Sequence, residues 1–139
     1  MKSIKELVVE FVERIKAICE WVRPDELDSK TYSIPTGVPK GKNKNHRLHL
    51  TVSELNGKPI EIFGLIGKEG TEIAAFAAGI TRLASLALKA KKPVPIDKII
   101  EQLEDIRGEF QTTYKGKLIT SIPDAIATGL KLYQRRKDE

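Results

Sequence analysis

Apolar and polar positions alternate in two distinct rhythms along this chain, and the switches between them mark out its elements. From Ile4 the residues Leu7, Val8, Phe11, Ile15 and Ile18 recur at helical spacing, with Glu10, Glu13, Arg14 and Lys16 mostly on the other side. Ser3 with Glu6 three residues later forms a capping box, and Pro24 closes the segment, so a first helix is expected from there to about Val22. Thr31–Thr36 reads as a short strand, followed by a polar loop from Val38 to His46. The period then becomes two at Leu48, Leu50 and Val52 within Arg47–Leu55, which ends on Leu55, and Pro59–Ile66 supplies Ile60, Ile62, Phe63, Leu65 and Ile66. Asn56-Gly57 between them is a pair suited to the positive φ of a tight hairpin turn.

After Gly67-Lys68-Glu69-Gly70, Thr71 opens a second helix reaching about Lys91. It is alanine-rich and apolar nearly all round, with Arg82 as the only charge in its middle, which predicts burial on several sides. Pro95 suits a helix's first turn, and Ile96, Ile99, Ile100, Leu103 and Ile106 give a third amphipathic helix that Gly108 is expected to stop as a left-handed cap. Phe110–Leu118 reads as a loop or weak hairpin. Ser121 with Asp124 caps a last helix through Ala125, Ile126, Leu130 and Tyr133, with Arg135-Arg136-Lys137 as a frayed tail. The expected architecture is α/β in the α+β sense: a small antiparallel sheet packed against three C-terminal helices, plus an N-terminal amphipathic helix. Residues 1–22 form that helix, a candidate oligomerisation element, and 23–139 form the α/β domain.

Composition narrows the class. A chain of 139 residues, 40% hydrophobic and 31% charged, is one globular domain able to bury a core without disulfides or metals. Lys and Arg outnumber Asp and Glu by 24 to 19, a formal charge of +5 concentrated in the 40–47 loop and the C-terminal tail. That excess suits an anionic small ligand but falls short of the basic stripe of a dedicated DNA binder, which argues against nucleic acid. The single Cys19 excludes an intrachain disulfide, and no Cys/His cluster has zinc spacing. No apolar run approaches membrane-spanning length, and the N-terminus lacks a secretory apolar block, so the cytoplasm is the expected compartment.

Several residues carry candidate chemistry. In Gly67-Lys68-Glu69-Gly70-Thr71 a strand meets a helix, where free backbone N–H groups beside Lys68 can cradle a phosphate; equally, this is a glycine turn with a solvated lysine. Arg82, expected buried, needs an acid such as Glu72 or Asp124, or a ligand. Arg107 at the end of the third helix interacts with its dipole in any case. Lys40, Lys42, Lys44, His46 and Arg47 form a basic run that is either solvated or closes over an anion. Tyr114 and Phe110 can stack on a base or pack in the core. The candidate ligand-binding set is therefore Lys68, Gly70, Thr71, Arg82, Arg107, Tyr114, Lys42 and Arg47. His46 and His49 lack metal-ligand companions, Asp124 is most simply a capping acid, and no nucleophile with a tuned base is readable. No enzyme, no cofactor and no metal are expected.

The segments RPDELDSKTYSIPTG, LTVSELNGKPIEIFGLIGKEG, AGITRLASLAL, IIEQLEDIRG and SIPDAIATGL occur in this order from Arg23 onward. As an ordered set they resemble the C-terminal domain of adenosylcobalamin-dependent ribonucleotide reductases, the TSCPD domain. The resemblance covers roughly the last four-fifths of the chain. Domains of this type often carry cysteines after the "IR" pair and inside the naming motif, where this chain has Gly108 and Ile122. The thiolate relay or metal binding that such pairs allow is thus not expected, nor is radical chemistry without the reductase's barrel.

Three readings follow. The first is a non-catalytic homo-oligomer that binds a phosphate-bearing nucleotide, with sequestration of a cyclic or ADP-ribose-like signal by a virus or mobile element as its extension. The second is an accessory or regulatory domain of ribonucleotide reduction with a reductase partner. The third is a structural oligomerisation module.

Overall fold

The computed structural model describes the backbone of residues 1–18 and 23–138 and the side chains of residues 1–13 and 23–138. Helix α1 spans Ile4–Ile18, and its expected end at Val22, together with Cys19 and the side chains of Ile15 and Ile18, lies outside the described residues. Its capping box forms as read: the Ser3 N–H donates to the Glu6 carboxylate at 3.0 Å, and the Glu6 N–H to Ser3 Oγ at 3.2 Å. Ile4, Leu7, Val8 and Phe11 are all exposed.

Three strands follow in an antiparallel sheet of order β1-β2-β3: β1 Asp28–Gly41, β2 Lys44–Leu55 and β3 Lys58–Leu65. The β2–β3 turn is the Asn56-Gly57 pair, with φ of 52° and 77° as a tight hairpin requires. The β1–β2 connection departs from expectation. Strand β1 does not stop at Thr36, and 38–46 is no loop; both strands run on to a turn at Lys42-Asn43, where Asn43 has φ 60°. Prolines belong on edge strands, and β1 is an edge that absorbs Pro35 and Pro39 through register shifts between Pro35 and Gly41.

The inner face of the sheet, formed by Ile34, Leu48, Leu50, Val52 and Ile62, is fully buried with Ala125, Ile126 and Leu130 of the last helix, α4 (Ile122–Asp138). Helix α2, Glu72–Leu88, packs along β3 through a single stripe: Ala77, Thr81, Ala84, Ser85 and Leu88. The opposite side, with Phe76, Leu83 and Leu86, is exposed, so the expected burial on several sides does not hold within one chain. An alanine-rich pattern carries little facial contrast, and here two hydroxyls, Thr81 and Ser85, mark the buried stripe.

Helix α3 covers only Ile96–Leu103, with Pro95 at its N-cap. It ends before Ile106, which is exposed, and the left-handed residue after it is Asp105 (φ 61°) and not Gly108. Gly108 instead donates its N–H to the Thr120 carbonyl at 2.8 Å. The segment after it is a true hairpin, β4 Thr112–Tyr114 with β5 Lys117–Ile119, turning at Lys115-Gly116. It sits against β1, where a Cβ on Gly37 would lie 2.5 Å from backbone atoms of Gln111. Helix α4 is capped as expected, the Asp124 N–H donating to Ser121 Oγ at 3.2 Å. Its basic tail is helical through Lys137, whose Nζ reaches the Gly57 carbonyl at 2.8 Å and Glu54 at 3.0 Å. No helix among the described residues is long and apolar enough to cross a membrane.

Candidate functional site

The long β1–β2 hairpin and the turn after β3 bring the basic residues together. Antiparallel pairing sets Arg47 opposite Pro35, and His49 opposite both Ser33 and Leu65. Beyond β3 the chain turns through Gly67, whose φ is 67° and whose missing side chain leaves room for His46 and Ile73; a Cβ there would lie 2.7 Å from Ile73 Cδ1 and 3.4 Å from His46 Cε1. The result is a groove of about 770 Å³ lined by Lys40, Lys44, Asn45, His46, Arg47, His49, Leu65, Gly67 and Lys68.

Its electrostatics are one-sided. Four cationic side chains and two imidazoles line the groove, and none of its lining residues carries a carboxylate. Arg47 is held in place by its own strand pair, with Nε donating to Ser33 Oγ at 2.8 Å and its terminal nitrogen to the Ser33 carbonyl at 3.1 Å. Like charges gathered in a concave surface attract polyanions, and Arg presents the forked donors that match a phosphate.

Leu65 and Gly67 are shared with a second groove, of about 400 Å³, between β3 and α2. Its walls are Phe63 and Leu65 on one side and Ala74, Ala75 and Ala78 on the other, with Gly70, Glu69 and Arg82 also in its lining. The hydroxyl of Thr81 beneath it is already engaged, accepting the Gly64 N–H at 3.3 Å and donating to the Ala77 carbonyl at 2.9 Å.

The residues singled out by sequence divide accordingly. Arg47 and Lys68 meet in the cationic groove, and Gly70 and Arg82 line the second one. Arg82 is exposed, not buried, and has neither Glu72 nor Asp124 as an ion-pair partner among the described residues. Asp124 is occupied otherwise: its carboxylate accepts the Asp105 and Thr120 N–H groups, both at 2.9 Å. Thr71 is the N-cap of α2, its hydroxyl accepting from the Ala74 N–H and donating to the Lys68 carbonyl at 2.6 Å, so the strand-to-helix turn uses its own polar groups. Lys42 occupies the hairpin turn, outside the groove lining. Arg107 lies past the end of α3, beyond its dipole, and Tyr114 is half-buried against the core with Lys115 Nζ 5.2 Å from its ring centroid; neither lines either groove.

From the basic run the candidate set took only Lys42 and Arg47, so Lys40, Lys44 and His46 were noted as a cover for an anion but not selected, and Asn45 and His49 were not singled out for a ligand. The signal for the strand was present, since the alternation of Leu48, Leu50 and Val52 extends back through His46. The signal for His49 was not, because its place depends on a pairing register.

Gly108 and Ile122, the positions where the resemblance places cysteines, line one small cavity of about 150 Å³ together with Val38, Ile73 and Phe110. The two sites are adjacent in space, and in this chain neither offers a thiol. The model of the TSCPD domain family matches residues 10–134. No curated protein and no solved structure matches the chain. With a match over nearly its whole length, the chain belongs to the TSCPD domain family, which is found in the C-terminal regions of B12-dependent ribonucleotide reductases.

Proposed function

We propose that this TSCPD domain is a non-catalytic, homo-oligomeric nucleotide-binding protein that grips the phosphates of its ligand in the cationic groove. The observation that carries the reading is the lining itself: Lys40, Lys44, Arg47 and Lys68 converge with two histidines and no carboxylate. The lining also contains no serine, threonine or cysteine, so it offers charge and donors without a side-chain hydroxyl or thiol nucleophile. Holding a phosphate-bearing signal without converting it is what a sequestering protein does, and a cyclic or ADP-ribose-like nucleotide fits that role.

Calorimetric titration with adenosine, AMP, ADP and ATP tests it. Affinity is expected to rise with phosphate number and to fall steeply with added salt, with adenosine alone binding least. Absence of binding by every phosphorylated member at submillimolar concentration contradicts the reading.

Family membership favours a second reading, an accessory or regulatory domain in ribonucleotide reduction. It predicts a complex with a reductase, and a pull-down against that purified enzyme in which nothing is retained counts against it.

A further inference from the structure

We infer that the β3–α2 groove is the second half of the same binding site and receives the flat ring of a nucleotide whose phosphates lie in the cationic groove. This rests on the reading of the cationic groove as a phosphate site. The two grooves adjoin, because Leu65 and Gly67 line both. Their chemistry changes sharply across that boundary, from lysines, arginine and histidines to Phe63, Leu65 and three alanines. Ala74, Ala75 and Ala78 make a low strip along α2, and small side chains there leave depth for a planar group facing Phe63. Phe63 and Leu65 are 49% and 72% exposed, apolar surface that a ring would cover.

The polar groups of this half are suited to the edge of a base. Glu69 supplies acceptors and Arg82 supplies donors, and Arg82 has no ion pair among the described residues. The Thr81 hydroxyl is spent on Gly64 and Ala77, so the floor presents no unpaired hydroxyl to be desolvated. The ligand class is therefore a nucleotide with its phosphates at one end and an unsaturated ring at the other, and inorganic polyphosphate is an incomplete ligand.

Titration of the full chain with inorganic tripolyphosphate and with each of the four ribonucleoside triphosphates separates the two claims. At least one nucleotide is expected to bind about tenfold or more tighter than tripolyphosphate, a difference of about 1.4 kcal/mol. Ala78→Leu fills the apolar strip and removes that advantage while leaving tripolyphosphate binding unchanged. Ala75→Leu, at an exposed helix position, serves as the second variant if Ala78→Leu melts early. Equal affinity for tripolyphosphate and all four nucleotides, or a nucleotide advantage that survives both variants, overturns the two-part site and leaves the phosphate groove standing. If none of the five compounds binds, the phosphate groove itself falls, and the two-part site with it.

Discussion

The Ser85 hydroxyl in α2 lies against the backbone of Ile62 in β3, accepting its N–H at 2.9 Å and facing its carbonyl at 3.0 Å. One helical turn earlier, Thr81 accepts the Gly64 N–H. Strand β3 ends the sheet, and outward backbone groups on an edge strand invite pairing with another chain. Here a helix answers them with two hydroxyls, which also holds α2 against β3 and sets the width of the apolar groove. Ser85→Ala leaves the Ile62 groups buried and unpaired and is expected to cost about 1–3 kcal/mol. Urea unfolding checks this: the midpoint falls at unchanged slope, and an unchanged midpoint contradicts the assignment.

Two glycines should respond to alanine with opposite signs. Gly37→Ala drives a Cβ to within 2.5 Å of the Gln111 backbone, which cannot rotate away as a side chain end would. Gly79 lies inside α2 with nothing near its Cβ position, so Gly79→Ala gains about 0.5–1 kcal/mol of helix stability. Thermal melting should place Gly37→Ala below the wild type and Gly79→Ala above it; the reverse order contradicts the packing of β4–β5 on β1.

Stability should depend on pH through Glu54 and Tyr133, which tie β2 to α4. The Tyr133 hydroxyl donates to the Glu54 carboxylate, and this bond, aided by Lys137, holds the Glu54 carboxyl below its ordinary value against the opposing effect of burial. Burial first, and then Glu54, push the Tyr133 phenol upward. The depressed carboxyl contributes stability that is present above the ordinary glutamate value of 4.5 and is lost as pH falls through the lower folded value. The raised phenol contributes stability that is present below its ordinary value of 10.0 and is lost as pH rises through the higher folded one. Tyr133→Phe should therefore be less stable than wild type at neutral pH, with the gap closing as the solution is acidified below 4.5. Denaturant titrations across that range check it, and a gap independent of pH contradicts the coupling.

Phe76, Leu83 and Leu86 leave α2 with an apolar outer side, and Ile4, Leu7, Val8 and Phe11 do the same for α1. Covering such surface is the physical motive for the proposed homo-oligomer. Sedimentation velocity should show wild-type chains assembled, and Leu83→Glu with Leu86→Glu should shift them toward monomers. A monomeric wild type contradicts that part of the proposal.

What could be read in advance was whatever depends on neighbouring residues alone. Asn56-Gly57 announced its hairpin because few residue pairs accept two positive φ angles in succession, and Ser3/Glu6 and Ser121/Asp124 announced helix starts by their own hydrogen bonding. The extent of β1 was hidden because Pro35 and Pro39 look like loop residues until the strand is known to be an edge. The end of α3 was hidden because Ile106 continues the helical rhythm past the last helical residue, Leu103. In the site, Arg47 and Lys68 were recognisable as cations suited to phosphate. Their meeting was not, since it needs the His49–Leu65 register and a glycine turn pressed against His46.

Native mass spectrometry of the full chain, mixed with submillimolar nucleotides and compared with the Arg47→Glu/Lys68→Glu variant, tests the phosphate-gripping groove most directly. The wild type should retain bound mass in the nucleotide range, and the charge-reversed chain, equally folded, should lose it. Two identical spectra without bound nucleotide would contradict the account.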